Sequence, residues 1–244
     1  MKNTAIVLAA GKGSRMKSDI KKQYMLLLDR PVLCYSLDVF ENSPRIDEIV
    51  LVCGAGEEEW CRQEIVEAYH YKKIKAVVAG GKERYHSVYE GLKAADIESG
   101  TVLIHDGARP LIDGMMICRL LDEVIKCHAC VAAVPVKDTI KIGGADGYVE
   151  ETLPRDRLWM IQTPQVFDYR MIFEAYRKVI QIEDPEVKIT DDAMILEYTG
   201  GPRVKLVEGS YENIKITTQE DLLVAGVFIK NKKLKKGIDR KEEN

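Results

Sequence analysis

Thr4-Ala5-Ile6-Val7-Leu8-Ala9-Ala10-Gly11-Lys12-Gly13-Ser14-Arg15-Met16, with Lys21-Lys22-Gln23-Tyr24 a short way beyond, decides how this chain reads. An apolar strand runs straight into a loop of small residues, and a cluster of cations follows. Gly11 and Gly13 let backbone N–H groups approach oxyanions closely. Arg15, Lys21 and Lys22 supply full positive charge, and an arginine can grip two oxygens at once. The dinucleotide fingerprint is excluded, because Met16 stands where its third glycine belongs. The Walker spacing is absent too. The glycines alone would serve a plain strand–loop turn equally well. The cations favour a phosphate-rich ligand, since like charges crowd together only where an anion joins them.

The chain has 244 residues and a formal net charge of −3. That length suits one large α/β domain or two small ones. The charge argues against general nucleic-acid binding, which usually needs a basic excess. No apolar run approaches the roughly 20 residues of a membrane span. Thr4–Ala10 is too short for a signal-peptide core, so no membrane contact and a cytoplasmic location are expected. The six cysteines are scattered, which fits a reducing compartment. Cys127-His128-Ala129-Cys130 has C-x-x-C spacing, but no second pair completes a zinc site.

Strand-like and helix-like stretches alternate. Thr4–Leu8, Glu48–Val52, Ile74–Ala79, Thr101–His105 and Cys130–Val134 read as strands. Between them Pro31–Asn42, Glu57–Tyr69, Arg84–Ala94 and Asp113–His128 read as amphipathic helices. The pattern predicts an α/β fold with a mixed, mainly parallel sheet flanked by helices. Right-handed crossovers then gather the strand C-ends at one edge, where such sheets bind ligands. Gly11–Lys22, Gly80-Gly81 with Arg84, Asp106–Pro110 and Asp138-Thr139 all follow strands.

Residues 138–153 break the alternation. Gly143, Gly144 and Gly147 between polar segments read as a hairpin arm. A lone hairpin is marginal in water, so a homodimer built around this arm is expected. Tyr169–Ile182, Asp191–Tyr198 and Gln219–Ile229 read as helices, and Val204–Val207 and Asn213–Ile216 as short strands. Thr217 with Glu220 predicts a capping box for the last helix. The expected organisation is a single domain over residues 1–229 and a frayed, charged tail over 230–244.

Further motifs sharpen the picture: Gly80-Gly81-x-x-Arg84-x-x-Ser87-Val88, His105–Pro110, Pro135–Lys141, Gln162-Thr163-Pro164-Gln165, Thr190-Asp191-Asp192, and Glu208-Gly209 with Asn213–Thr217. They join Leu8–Met16 and Lys22–Tyr24, which resemble the signature of nucleotidyltransferases acting on sugar or polyol phosphates. Their order and spacing most resemble the 2-C-methyl-D-erythritol 4-phosphate cytidylyltransferase family, from Ala5 to about Ala225.

That resemblance implies a Rossmann-like nucleotidyltransferase fold and dimerisation through the β-arm. It also implies CTP and a polyol phosphate as substrates, with Mg²⁺ or another divalent cation as cofactor. The implied reaction transfers CMP from CTP to methylerythritol 4-phosphate, giving 4-diphosphocytidyl-methylerythritol and pyrophosphate in isoprenoid biosynthesis. Nucleophile and electrophile are both anionic, so cations rather than a general base are the needed catalysts. By resemblance Arg15 and Lys22 are catalytic, and Ala9, Ala10, Gly11 and Gly13 hold the nucleotide. Gly80, Gly81 and Ser87 border its base. Asp106 faces the ribose and phosphates and is the candidate metal ligand, directly or through water. Thr139, Arg155, Thr163 and Lys215 hold the second substrate, with Thr139 and Arg155 reaching into the partner's site. Arg155 could instead be a surface ion pair with Asp156, Asp106 a turn cap, and Lys22 a solvated lysine. Two positions depart from the family pattern: Lys21 stands where proline is common, adding a cation, and Lys82 stands where some relatives carry an acid. A ribitol-5-phosphate cytidylyltransferase and a non-catalytic nucleotide-binding regulator on the same fold are the alternatives.

Overall fold

Strand β1 (Lys2–Ala9) lies inside a seven-stranded sheet, because Ala5, Ile6 and Val7 have no exposed surface to leave outside it. The computed structural model describes residues 2–11, 20–96, 98–182 and 188–242. Gly13 and Arg15 of the opening loop therefore lie outside the described residues. After β1 come a two-residue ladder, β2 (Leu26–Leu27) with β3 (Arg30–Pro31), and helix α1 (Val32–Asn42). Strand β4 (Glu48–Cys53) is buried at every residue. Helix α2 (Glu58–Cys61) widens into a π-helical segment over Arg62–Glu67. Then follow β5 (Ile74–Ala79), α3 (Arg84–Ala94), β6 (Ser99–Asp106), α4 (Gly114–Cys127) and β7 (Ala129–Pro135).

The arm is β8 (Lys141–Gly143) paired antiparallel with β9 (Val149–Thr152). The chain returns through β10 (Trp159–Asp168), α5 (Tyr169–Ile182), α6 (Asp192–Tyr198), β11 (Lys205–Glu208) and α7 (Gln219–Glu242). The sheet order is β11-β7-β10-β6-β1-β4-β5. Strand β1 is parallel to β4 and β6, and Val7 stands opposite both Leu51 and His105. Strand β10 is antiparallel to β6 and β7 and is the one that runs against the rest. The sheet is thus mixed and mainly parallel, as the alternating pattern predicts.

Helices cover both faces. One core packs α1, the α2 segment and α4 on the sheet through Leu33, Leu37, Phe40, Met116 and Leu120. The other packs α3, α5 and α6 through Val88, Leu92, Ile172, Tyr176 and Ile195. Buried Met116, Ile117, Leu120, Leu121 and Val124 recur every three to four residues on α4, the stripe a helix needs to face a sheet. Asp113 starts α4 by accepting the Met116 N–H at 2.8 Å, a cap worth about 1 kcal/mol.

Three expectations need correction, and the strand Trp159–Asp168 is one that the pattern did not announce. Asn213–Ile216 is not a strand: the Asn213 carbonyl accepts from Arg109, and the Ile216 N–H donates to the Ala108 carbonyl. The backbone there braces the turn after β6 rather than a ladder. The last helix is opened by Asp221, not Glu220. The Asp221 carboxylate accepts from the Thr217 N–H and hydroxyl and from the Thr218 N–H at 2.7–2.8 Å. That helix also continues through residues 230–242 rather than fraying at Lys230.

All six cysteines are free thiols. Burial pushes Cys34 up to about 11 and raises Cys130, which suppresses their thiolates. Cys118 and Cys127 are half-buried. Alkylation of the native protein near pH 8, followed by peptide mass mapping, should label these two first, with Cys34 and Cys130 reacting only on unfolding. Equal labelling rates at all four would contradict this packing.

Candidate active site

The C-terminal ends of β1, β5 and β6 open onto a cleft of about 420 Å³. Ala10, Gly11, Lys22, Gly81, Ser87, Asp106 and Lys215 all meet in its wall. The glycines fit for steric reasons. A Cβ on Gly80 would stand 2.5 Å from the Ala10 Cβ and 2.7 Å from the Ser87 Oγ. A Cβ on Gly81 would stand 2.4 Å from the His86 Cβ. Ser87 ties this turn to α3: its hydroxyl accepts the Gly81 N–H and donates to the Glu83 carbonyl, both at 3.1 Å.

Gln23 holds the end of β1. Its amide donates to the Ala9 carbonyl at 2.5 Å and to the Gly11 carbonyl at 3.0 Å. This holds the chain at Ala9 and Gly11, and neighbouring Lys22 stands at the cleft. Lys21 does not act as one more cation for the ligand. Its ammonium pairs with Glu57, and the same carboxylate accepts from the Tyr24 hydroxyl and the Gly54 N–H. Glu57 thus anchors the segment that a proline would otherwise stiffen.

Asp106, at the end of β6, sits between two cations. One oxygen accepts from Arg84 Nε at 3.1 Å and the other meets Lys215 Nζ at 2.6 Å. Burial opposes its ionisation, but Arg84, Lys215 and Arg109 together hold the carboxyl well below the usual range. This arrangement excludes the turn-cap reading, since the Asp106 side chain binds Arg84 and Lys215 and only its backbone carbonyl accepts the Arg109 N–H. Arg84, Asp106 and Lys215 also line a second cleft of about 320 Å³, together with Arg109, Thr163 and Gln165. The three residues form a wall between two cavities.

Thr163 supports that wall. Its hydroxyl accepts the Asp106 N–H at 3.0 Å and lies 3.1 Å from His105 Nδ1. The other His105 nitrogen lies 3.1 Å from the Arg109 carbonyl, which can only accept. Nε2 therefore carries the proton and Nδ1 accepts from Thr163. Burial pushes His105 down to about 4, so it stays neutral and structural. Arg109 anchors the turn: its guanidinium donates to the Asn213 and Ile161 carbonyls at 2.8 and 3.4 Å.

Thr139 and Arg155 line neither cleft. Arg155 is on the arm's return and donates to the Lys137 carbonyl at 2.9 Å. Sequence reasoning missed two constituents. Gln165 accepts the Asp192 and Ala193 N–H groups at 3.0 and 2.9 Å, and Asp192 pairs with Arg84 through both oxygens. Their motifs were visible, but the pairing joins residues far apart in the chain.

A glycine-lined cleft at the strand ends, floored by cations and joined to a second polar cleft, defines a nucleotidyltransferase. The profile of the 2-C-methyl-D-erythritol 4-phosphate cytidylyltransferase family matches residues 3–231. A protein of that name from Clostridium kluyveri is 46% identical over 235 residues, covering 95% of this chain and 98% of the relative. One from Lachnospira eligens is 49% identical over 228 residues, covering 93% of this chain and 99% of the relative. The solved 4-diphosphocytidyl-2C-methyl-D-erythritol synthase of Anaerococcus prevotii matches with a TM-score of 0.82 and 37% identity. That match covers 94% of this chain and 96% of the other. The chain belongs to the 2-C-methyl-D-erythritol 4-phosphate cytidylyltransferase family and is a cytidylyltransferase.

The Thr163 hydroxyl serves both Asp106 and His105, so Thr163→Val leaves two buried groups without a partner. It should lower unfolding stability by about 1–3 kcal/mol in a urea titration. A shift below about 0.5 kcal/mol, the range of ordinary surface changes, would contradict the hydrogen bonding assigned here.

Proposed function

We propose that the two clefts divide the substrates of one reaction. The enzyme transfers CMP from CTP to 2-C-methyl-D-erythritol 4-phosphate, giving 4-diphosphocytidyl-2-C-methyl-D-erythritol and pyrophosphate. CTP takes the glycine-lined cleft, and the polyol phosphate takes the cleft of Arg109 and Thr163. The observation that carries this reading is the shared wall of Arg84, Asp106 and Lys215, which lets two phosphates meet across one set of charges.

The phosphate oxygen of the polyol attacks the α-phosphorus of CTP. That P–O bond forms as the bond to the β-phosphate oxygen breaks, and pyrophosphate leaves. No proton needs to be removed from the nucleophile. The protein's task is to align two anions and offset the charge that develops on the α-phosphate. Lys22 and Arg15 serve the nucleotide in this scheme, and Lys215 holds the polyol phosphate. The close contacts of Gly80 and Gly81 leave a slot suited to a pyrimidine.

Mg²⁺ is the proposed cofactor. Among the described residues no group of three metal-binding side chains converges. Mg²⁺ is commonly held by one or two carboxylates together with substrate phosphates, and Asp106 fits that role as an ionised oxygen donor on the shared wall. When bound, the ion supplies charge neutralisation for the triphosphate.

The active unit proposed is a homodimer joined through the arm, with Thr139 and Arg155 completing the partner's second cleft. The arm has no core of its own. Tyr148 and Val149 are 76% and 61% exposed, and the adjoining Trp159, Met160 and Ile161 are exposed as well. A two-stranded hairpin needs further packing to persist. Residues 1–229 would then be one catalytic domain. Six free thiols support a cytoplasmic location, and no helix among the described residues is long and apolar enough to cross a membrane.

With Mg²⁺ and CTP, purified protein should release pyrophosphate with methylerythritol phosphate and far less with ribitol 5-phosphate. The reverse preference would overturn the substrate, and no release with either would favour a non-catalytic nucleotide binder. Lys22→Ala should cut turnover by about 10²–10³-fold at unchanged melting temperature; near-normal turnover would remove Lys22 from the chemistry. Tyr148→Glu with Val149→Glu should convert the dimer to monomers in light scattering and abolish turnover together. Activity retained in a monomer would show that no partner residue is needed.

A further inference from the structure

Arg84 of the Gly80–Val88 motif meets Asp192 of the Thr190–Asp192 motif, a pairing to which the chemistry above gives no role. Arg84 opens α3 and Asp192 opens α6. The Arg84 guanidinium donates to both Asp192 oxygens at 2.7 and 2.8 Å, while its Nε donates to Asp106 Oδ1 at 3.1 Å. The Asp192 side chain has no exposed surface. The Tyr176 hydroxyl, from the buried face of α5, donates to Asp192 Oδ1 at 2.5 Å. Gln165 accepts the Asp192 N–H, so the acid is held by α5, β10 and α3 at once.

We propose that Arg84 is a positioning residue for the transfer reaction, oriented by buried Asp192 and acting through Asp106. A planar guanidinium gripped bidentately on one side has little freedom left on the other. Its Nε therefore fixes the plane of the Asp106 carboxylate. That plane turns Oδ2 toward Lys215, the cation assigned to the polyol phosphate. Asp192 also keeps the Arg84 fork from turning into either cleft as a competing phosphate grip. The chain of contact runs from the covered core under α5 to the wall between the two substrates. A lysine at 84 would keep the charge but could not bridge both carboxylates. This inference rests on the division of the clefts proposed above.

The test measures kcat and the KM for each substrate, with thermal melts, for the wild-type enzyme and for Arg84→Lys, Asp192→Asn, their double variant and Tyr176→Phe. In Arg84→Lys the kcat should fall by about 10–100-fold, the scale of a small misplacement of reacting groups. The KM for the polyol phosphate should rise more than the KM for CTP, because Lys215 loses its aligned partner while the glycine cradle is untouched. The double variant should be no worse than the poorer single variant within about threefold, as expected for residues acting as one unit. Tyr176→Phe, which changes no charge, should show a smaller loss of the same kind, and it carries the test if the buried-pair variants do not fold. Folded Arg84→Lys with kcat within about twofold of wild type would overturn the proposal, as would multiplicative losses in the double variant. A melting shift without kinetic change in Tyr176→Phe would also overturn it and leave the pair purely structural. Wild-type protein inactive toward both substrates would instead undo the functional reading itself.

Discussion

Asp106 presents one carboxylate oxygen to Arg84 and the other to Lys215, and the site depends on that shared anion. Lys22, Arg84, Arg109 and Lys215 all stand near the same sheet edge. Unpaired cations gathered so closely would repel one another and resist burial. An ionised carboxylate at their centre lets the folded chain keep them together before any phosphate arrives. The sheet supplies the position. Parallel pairing of β6 with β1 brings the end of β6 beside the first loop, with Asp106 opposite Leu8. Thr163 on β10 then fixes the Asp106 backbone from the other side. The fold's contribution to chemistry is thus a geometric one: it turns strand register into charge placement.

Much of this was legible in the sequence where burial leaves a pattern. Strands β1, β4, β6 and β7 are short apolar runs because both of their faces are covered, and their helices show clear stripes. The glycine loop, Gly80-Gly81 and Asp106 could be placed at one edge because parallel crossovers allow little else, whereas Lys215 entered only through the family resemblance. Strand β10 was not legible. Its middle reads Gln162-Thr163-Pro164-Gln165, with polar side chains and a proline that argue against an interior strand. The structure shows why that composition is tolerated. The pairing with β7 shifts between Ile161 and Gln165. Gln162 meanwhile pairs with the backbone of Ser210, Thr163 with Asp106 and His105, and Gln165 with the start of α6. A strand that serves as a polar scaffold does not look like a strand in sequence.

The pairing of Arg84 with Asp192 was hidden for a different reason. The two residues are 108 positions apart, and neither neighbourhood signals the other. Only the packing of α3 and α6 on the same face of the sheet brings them together. Lys21 carries the opposite lesson. As a sequence feature it looked like one more cation beside the phosphate loop, yet Glu57 takes its charge away from the cleft. Charge counts along a motif overstate the charge a ligand meets, because acids from another element can claim part of it.

The loops at this edge are held mostly by one another. Arg109 donates to the carbonyls of Asn213 and Ile161, joining the turn after β6 to the segment before α7 and to the start of β10. Asn213 in turn donates to the Thr163 carbonyl at 2.9 Å. Ile161 follows directly on Trp159 and Met160, the exposed apolar residues through which the arm re-enters the sheet. These contacts form a continuous path from Ile161 through Arg109 to the turn carrying Asp106, and on through Asn213 to the segment of Lys215. Covering those apolar residues by a second subunit would steady the same carbonyls that hold Arg109. In the proposed dimer, assembly and site geometry would be one packing problem, and residues far from either substrate would set how well the two phosphates are aligned.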